Sequence, residues 1–137
     1  MSQNRIVELA YAALRVVSGL LFTQAGGMKL FHWFGGMPGG ATPHFPSQVW
    51  IGGVLESFGG LAILLGFMTR PVAFILSGEM AVAYWQFHAP RGPWPIVNQG
   101  QPAVLFCFIF LYMAARGGGE WSLDALRRRR GGVLGSP

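Results

Sequence analysis

The chain has 137 residues, of which 52% are hydrophobic and only 11% charged, with 21 glycines and 9 prolines. A soluble domain carries about 25% charge, so the polar surface that such a domain presents to water is missing. The 14% aromatic content excludes a disordered chain, and Cys107, the single cysteine, excludes both an intrachain disulfide framework and a CxxC dithiol centre. The length fits one domain, residues 1–137. A small integral membrane protein remains, ahead of a Gly-rich, very apolar soluble core.

Four apolar stretches follow one another, separated by Gly/Pro-rich loops. The first spans about 6–28, with Glu8 near its start and Arg15 inside it. Those two charges, and the lack of a small-residue cleavage site, argue against a cleaved signal peptide. The second spans about 49–68 and the third about 71–88, with Pro71 in the first turn, where proline is tolerated. The fourth runs from about 101 to 115 and is short unless residues 96–100 join it, which gives a span of about 97–115. The runs are continuous rather than alternating and approach the 17–25 residues of a spanning helix, so helices are predicted and barrel strands are not. The expectation is an all-α integral membrane four-helix bundle followed by a basic tail, 116–137.

Basic residues set the orientation. With four spans, Arg5, Arg70, Arg116 and the run Arg127 to Arg130 share one side, whereas Lys29 and Arg91 lie on the other. The positive-inside rule then places both termini in the cytoplasm. Trp33, Trp50, Trp85 and Trp94 fall near the outer interface and Trp121 near the inner one. The net charge of +5 does not suggest nucleic acid, because the only cluster is terminal and follows an apolar body. It reads instead as an anchor on anionic membrane lipid.

Arg15, Glu56 and Glu79 carry the most information. Counted from the cytoplasmic ends at ~1.5 Å per residue, Arg15 lies at ~13 Å, Glu79 at ~12 Å and Glu56 at ~18 Å. A charge facing lipid costs at least ~2.5–3.5 kcal/mol, so the three are expected to face inward as a polar midplane cluster. One arginine cannot neutralise two carboxylates, so one glutamate is protonated or meets a proton, ion, ligand or partner. An Arg–Glu clasp that only fixes helix register is the competing reading. Gly52, Gly59 and Gly66, with Gly53 and Gly60, form a close-packing seam that serves either contacts within the chain or a homo-oligomer.

His32, His44 and His88 map to the outer side, as candidates at the mouth of the bundle. They lack HxxxH spacing and an accompanying Cys or outer carboxylate, so no metal site is assigned. His88 is the strongest of the three, with Trp85 and Gln86 in the turn below it. The loops 29–48 and 89–100 are long enough to act as lids that carry His32, His44, Trp94 and Asn98 over the charged centre. Cys107 reads as a packing residue in the fourth helix.

Several stretches, in order, resemble a known family. They are Arg15-Val16-Val17-Ser18-Gly19, Gly26-Gly27-Met28-Lys29-Leu30, Glu56-Ser57-Phe58-Gly59-Gly60-Leu61, Gly66-Phe67-Met68-Thr69-Arg70, Met80-Ala81-Val82-Ala83-Tyr84 and Gly117-Gly118-Gly119-Glu120-Trp121-Ser122-Leu123-Asp124. Together they resemble the DoxX family of small four-helix membrane proteins. The resemblance implies a multi-pass protein of the bacterial plasma (inner) membrane, and it carries Arg15, Lys29, Glu56, Thr69, Arg70, Ser122 and Asp124 as motif positions. The family often has Glu after the glycine that opens the fourth helix; here that residue is Gln101. The family name is tied to a quinone-reducing sulfur-oxidation complex, and other members look like partners in thiol and oxidative-stress defence. The expected role is therefore an accessory subunit of a membrane redox system, with quinone as the implied cofactor and a protein partner in the complex. The chain has no haem or flavin motif with which to carry the full reaction. A small-solute or proton conduit and a non-enzymatic scaffold are the alternatives.

Overall fold

A computed structural model describes residues 2–133, among which every regular element is helical. Helix α1 is Gln3–Phe31, α2 is Gln48–Leu65, α3 is Thr69–Ala83, α4 is Gln101–Arg116 and α5 is Leu123–Val133. Among the described residues, only α1 and α2 are long and apolar enough, on length and composition, to cross a membrane. Helix α4, at 16 residues, is a shorter apolar helix. Large apolar side chains nevertheless cover the outside of the bundle: Phe58, Phe74, Leu105 and Phe108 are all more than 60% exposed. Apolar faces of that extent are rare on soluble monomers and match a lipid-facing surface.

The helix bounds differ from the sequence expectation in four places. Helix α1 continues past Gly26 and Gly27 to Phe31, which puts Lys29 on the helix rather than in a loop. After α3 the chain widens into a π turn, Tyr84–His88. Residues 97–100 do not extend α4: the single turn Pro95–Asn98 ends at Gln99, which has a left-handed conformation. The basic run Arg127 to Arg130 lies on α5, a helix of its own, where a plain tail was expected. Residues 134–137 of that tail lie outside the described residues.

Helix α1 packs along α2, and α3 along α4. The first pairing depends on glycine. A Cβ on Gly19 would stand 2.4 Å from Leu64 N, one on Gly26 2.3 Å from Ser57 N, and one on Gly60 2.5 Å from Thr23 N. The two backbones therefore touch, as the small residues of membrane helices permit. The seam formed by Gly53 and Gly60 is covered by α1 of the same chain. Between the pairs, the Phe22 ring meets Phe106 at 4.8 Å and Phe110 at 4.6 Å, edge to face, and Ile63, Leu76 and Met113 fill the buried centre.

At one end of the bundle a set of backbone caps joins α1, α2, α3 and α5. Helix α2 stops at Gly66, whose φ of +67° closes a Schellman turn, with Phe67 N donating to Ala62 O and Gly66 N to Ile63 O. Arg15 reaches across from α1 and caps the same end. Its Nη1 donates to Ile63 O (2.6 Å) and Leu64 O (2.5 Å), and its Nη2 to Trp121 O (2.6 Å). A cation suits the negative end of the helix dipole. Asp124 caps the start of α3, accepting from Met68 N, Thr69 N and Thr69 Oγ1 at 2.7–2.9 Å. The Glu8–Arg116 ion pair ties α1 to the end of α4, and Tyr11, donating to Gly117 O, ties it to the segment that follows.

Two outcomes follow from this packing. Gly19→Ala drives a methyl into the backbone of α2 and should destabilise the detergent-solubilised protein by about 1–3 kcal/mol, read as a fall in thermal midpoint. Gly78→Ala meets nothing within 4 Å and should leave the midpoint unchanged or raise it. Burial works against the Asp124 carboxylate, but the bonds from Thr69 and Met68, and the nearby Arg128, hold it below the usual carboxylate range. A lowered folded-state value means that its stabilisation is present above the unfolded value of 3.8 and is lost as pH falls through the folded one. Asp124→Asn should therefore unfold earlier than wild type at neutral pH, and the two should converge under strong acid. A gap independent of pH contradicts this.

Candidate functional site

The structure does not gather Arg15, Glu56 and Glu79 into one cluster. Arg15 is buried, 2% exposed, and its described bonds all go to backbone carbonyls at the capped end. The expected Arg–Glu clasp is thus replaced by a helix cap. Charge counting across side chains overlooks that possibility, because the carbonyls at a helix C-terminus carry no formal charge.

Lys29 takes the place foreseen for Arg15. From the last turn of α1 its Nζ donates to both oxygens of Glu56, at 2.7 and 2.6 Å. Glu56 is 6% exposed and lies in a π turn, Leu55–Gly59, within α2. Such turns insert one residue into the helix, re-aim the side chains and recur at functional sites. The residue signal for Lys29 was present: it follows Gly26 by three, so it shares the face that meets α2.

Glu79 approaches from α3. Its Oε1 would lie 3.2 Å from a Cβ on Gly52, one helical turn before Glu56. Its Oε2 is buried and has no hydrogen-bond partner. Glu56, Glu79 and Lys29 line one cavity of about 710 Å³, which lies in the half of the bundle away from the caps. The rest of the wall is largely apolar, including Phe22, Leu55, Ile75 and Met80, with Pro102 and Phe106 from α4. The volume is within the range of small-molecule pockets, and the combination of apolar walls with a few convergent polar groups is typical of them.

The histidines separate. His88, in the second π turn, lines the cavity, and its Nδ1 lies 3.1 Å from Asn98 O. A carbonyl can only accept, so Nδ1 carries the proton. Asn98 is a buried strut: its Nδ2 donates to Gly92 O at 2.9 Å, and its Oδ1 accepts from Gly100 N at 2.8 Å. His32 instead ends α1 in a left-handed conformation, with its Nε2 3.1 Å from Thr42 Oγ1. Neither His32 nor His44 lines the cavity. No group of three His, Cys, Asp or Glu side chains that could hold a metal ion occurs among the described residues. From the first long loop, Met37 lines the cavity, while Trp94 in the other loop is largely exposed. Cys107 packs against the core, and its carbonyl accepts from Ser77 Oγ at 2.8 Å.

Comparison with known proteins fits these observations. The DoxX family profile matches residues 10–89, which hold Arg15, Lys29, Glu56, Glu79 and His88. An uncharacterized protein of Haemophilus influenzae is 38% identical over 116 residues, covering 82% of this chain and 87% of that protein. The inner membrane protein YqjF of Escherichia coli is 27% identical over 136 residues, covering 93% of this chain and 98% of that protein. No solved structure matches. The profile over more than half of the chain, together with the apolar helices and their outward-facing side chains, shows that this chain belongs to the DoxX family of membrane proteins.

Proposed function

We propose that the chain spans the inner membrane through α1–α4 with both termini in the cytoplasm, and that it serves as an accessory subunit of a membrane redox system. In this reading the capped end faces the cytoplasm, where α5 holds its arginines against anionic lipid. The cavity opens towards the outer leaflet and receives a small amphipathic molecule, with a quinone as the candidate. The observation that carries the proposal is the cavity: its wall is apolar while the Lys29–Glu56 pair and Glu79 form a polar patch. An amphipathic ligand would lay its tail along Phe22 and Phe106 and bring its head to those charges. Electrons would come from a partner protein, since a lone cysteine cannot cycle as a dithiol.

A second reading is favoured by one specific feature. Glu79 Oε2 is buried without a partner, an arrangement suited to a group that takes up and releases a proton or solute. The protein would then be a conduit rather than a subunit of a redox complex.

Protein extracted in mild detergent tests the first reading. A near-stoichiometric isoprenoid quinone or an oxidoreductase polypeptide should co-purify, and Lys29→Met should deplete the quinone. Absence of both, with unaltered sensitivity to oxidative stress on deletion, contradicts the redox reading.

A further inference from the structure

The cavity holds a carboxyl group that no cationic side chain among the described residues pairs. Lys29, its one lysine or arginine, already donates to both oxygens of Glu56. Glu79 faces the same space with a buried oxygen that has no donor. The other elements around it supply no compensating charge: the lining residues from α4 are Pro102, Ala103 and Phe106, and α1 adds only apolar residues besides Lys29. His88, which lines the cavity, has its Nδ1–H committed to Asn98 O. At the start of α2, the Gln48 side-chain amide donates to that of Gln86. Counted over titratable side chains, there is one ammonium for two carboxyl groups, and it is bonded to Glu56.

We propose that this cavity binds a lipophilic organic cation, a positively charged nitrogen or phosphorus centre carried on apolar or aromatic groups. The inference rests on the second reading above and names the substrate class of the same site. Glu79, ionised as the cation enters and its proton leaves to solvent, supplies the negative charge that no described side chain matches. Phe22, Phe87 and Phe106 line the wall and offer ring faces of the kind that attract cations at desolvated sites. A bare metal ion is poorly matched, because the described residues provide no ligand set for it. Gly52 contributes by what it lacks: a Cβ there would stand 3.2 Å from Glu79 Oε1, so glycine keeps the carboxylate clear of α2. The cavity volume of about 710 Å³ suits an ion of drug-like size.

The test compares two ions of the same shape and opposite charge, tetraphenylphosphonium and tetraphenylborate, against the purified full-length protein in detergent by equilibrium dialysis. The phosphonium should bind saturably and the borate should not. Glu79→Gln should weaken phosphonium binding at least tenfold, and Glu79→Asp should retain most of it. If Glu79→Gln fails to fold, Gly52→Ala gives the second reading of the site, because its methyl meets only the Glu79 carboxylate and should also weaken binding. Equal binding of both ions, or full phosphonium affinity in folded Glu79→Gln, overturns the proposal. Phosphonium binding without flux in liposomes supports the cation site while removing the conduit reading. Quinone binding that the phosphonium does not displace, with no saturable phosphonium binding, overturns the cation site and leaves the redox reading standing.

Discussion

The backbones of α1 and α2 touch, and both polar features of the protein depend on that approach. At Gly19, Gly26 and Gly60 even a methyl group would clash with main-chain atoms of the other helix. The short separation lets Arg15 reach the carbonyls that end α2, and about four turns further along it lets Lys29 close on Glu56. In lipid, each of these groups would carry a large penalty if left unpaired. The glycine contacts and the two cations therefore form one arrangement: close packing brings the polar partners within reach, and the polar bonds fix the register of the packed helices.

The two ends of the bundle differ in what their polar groups do. At the capped end most donors and acceptors are taken, Arg15 Nε excepted: both Arg15 Nη atoms by carbonyls of α2 and Trp121, Asp124 by the first amides of α3, and Arg70 by the carbonyls of Ala115 and Arg116. Those bonds define structure. At the other end the two π turns place Glu56 and His88 on the cavity, where Glu79 Oε2 has no partner. A buried group without a partner is rare in a folded protein and is where a ligand or proton has something to offer. The division assigns stability to one end and binding to the other.

Much of this was legible in the residues. Continuous apolar runs and scarce charge pointed to an all-helical membrane protein, and the cost of intramembrane charge singled out Glu56 and Glu79, which share the cavity. Lys29 stood just past the expected end of the first span, in a loop, and was singled out only through the family resemblance; Gly26 and Gly27 are contact points inside α1, where it meets Ser57 of α2 and the ring of Trp33. Arg15 was assigned a carboxylate partner because only side-chain charges enter such an argument, whereas its actual partners are the carbonyls of a helix terminus. The π turns leave no pattern in composition or periodicity, so the re-aiming of Glu56 and His88 was out of reach. Asp124 was visible through the family resemblance alone, since nothing local in the sequence links it to residues 68 and 69.

The central claim is that Lys29, and not Arg15, neutralises Glu56. A pair of double-mutant cycles on thermal or denaturant unfolding in one detergent tests it most directly, using Lys29→Met, Arg15→Met and Glu56→Gln. The account predicts a Lys29–Glu56 coupling of about 1–3 kcal/mol and Arg15–Glu56 effects that add to within about 0.5 kcal/mol. Strong coupling of Arg15 to Glu56, with Lys29 and Glu56 additive, would contradict it.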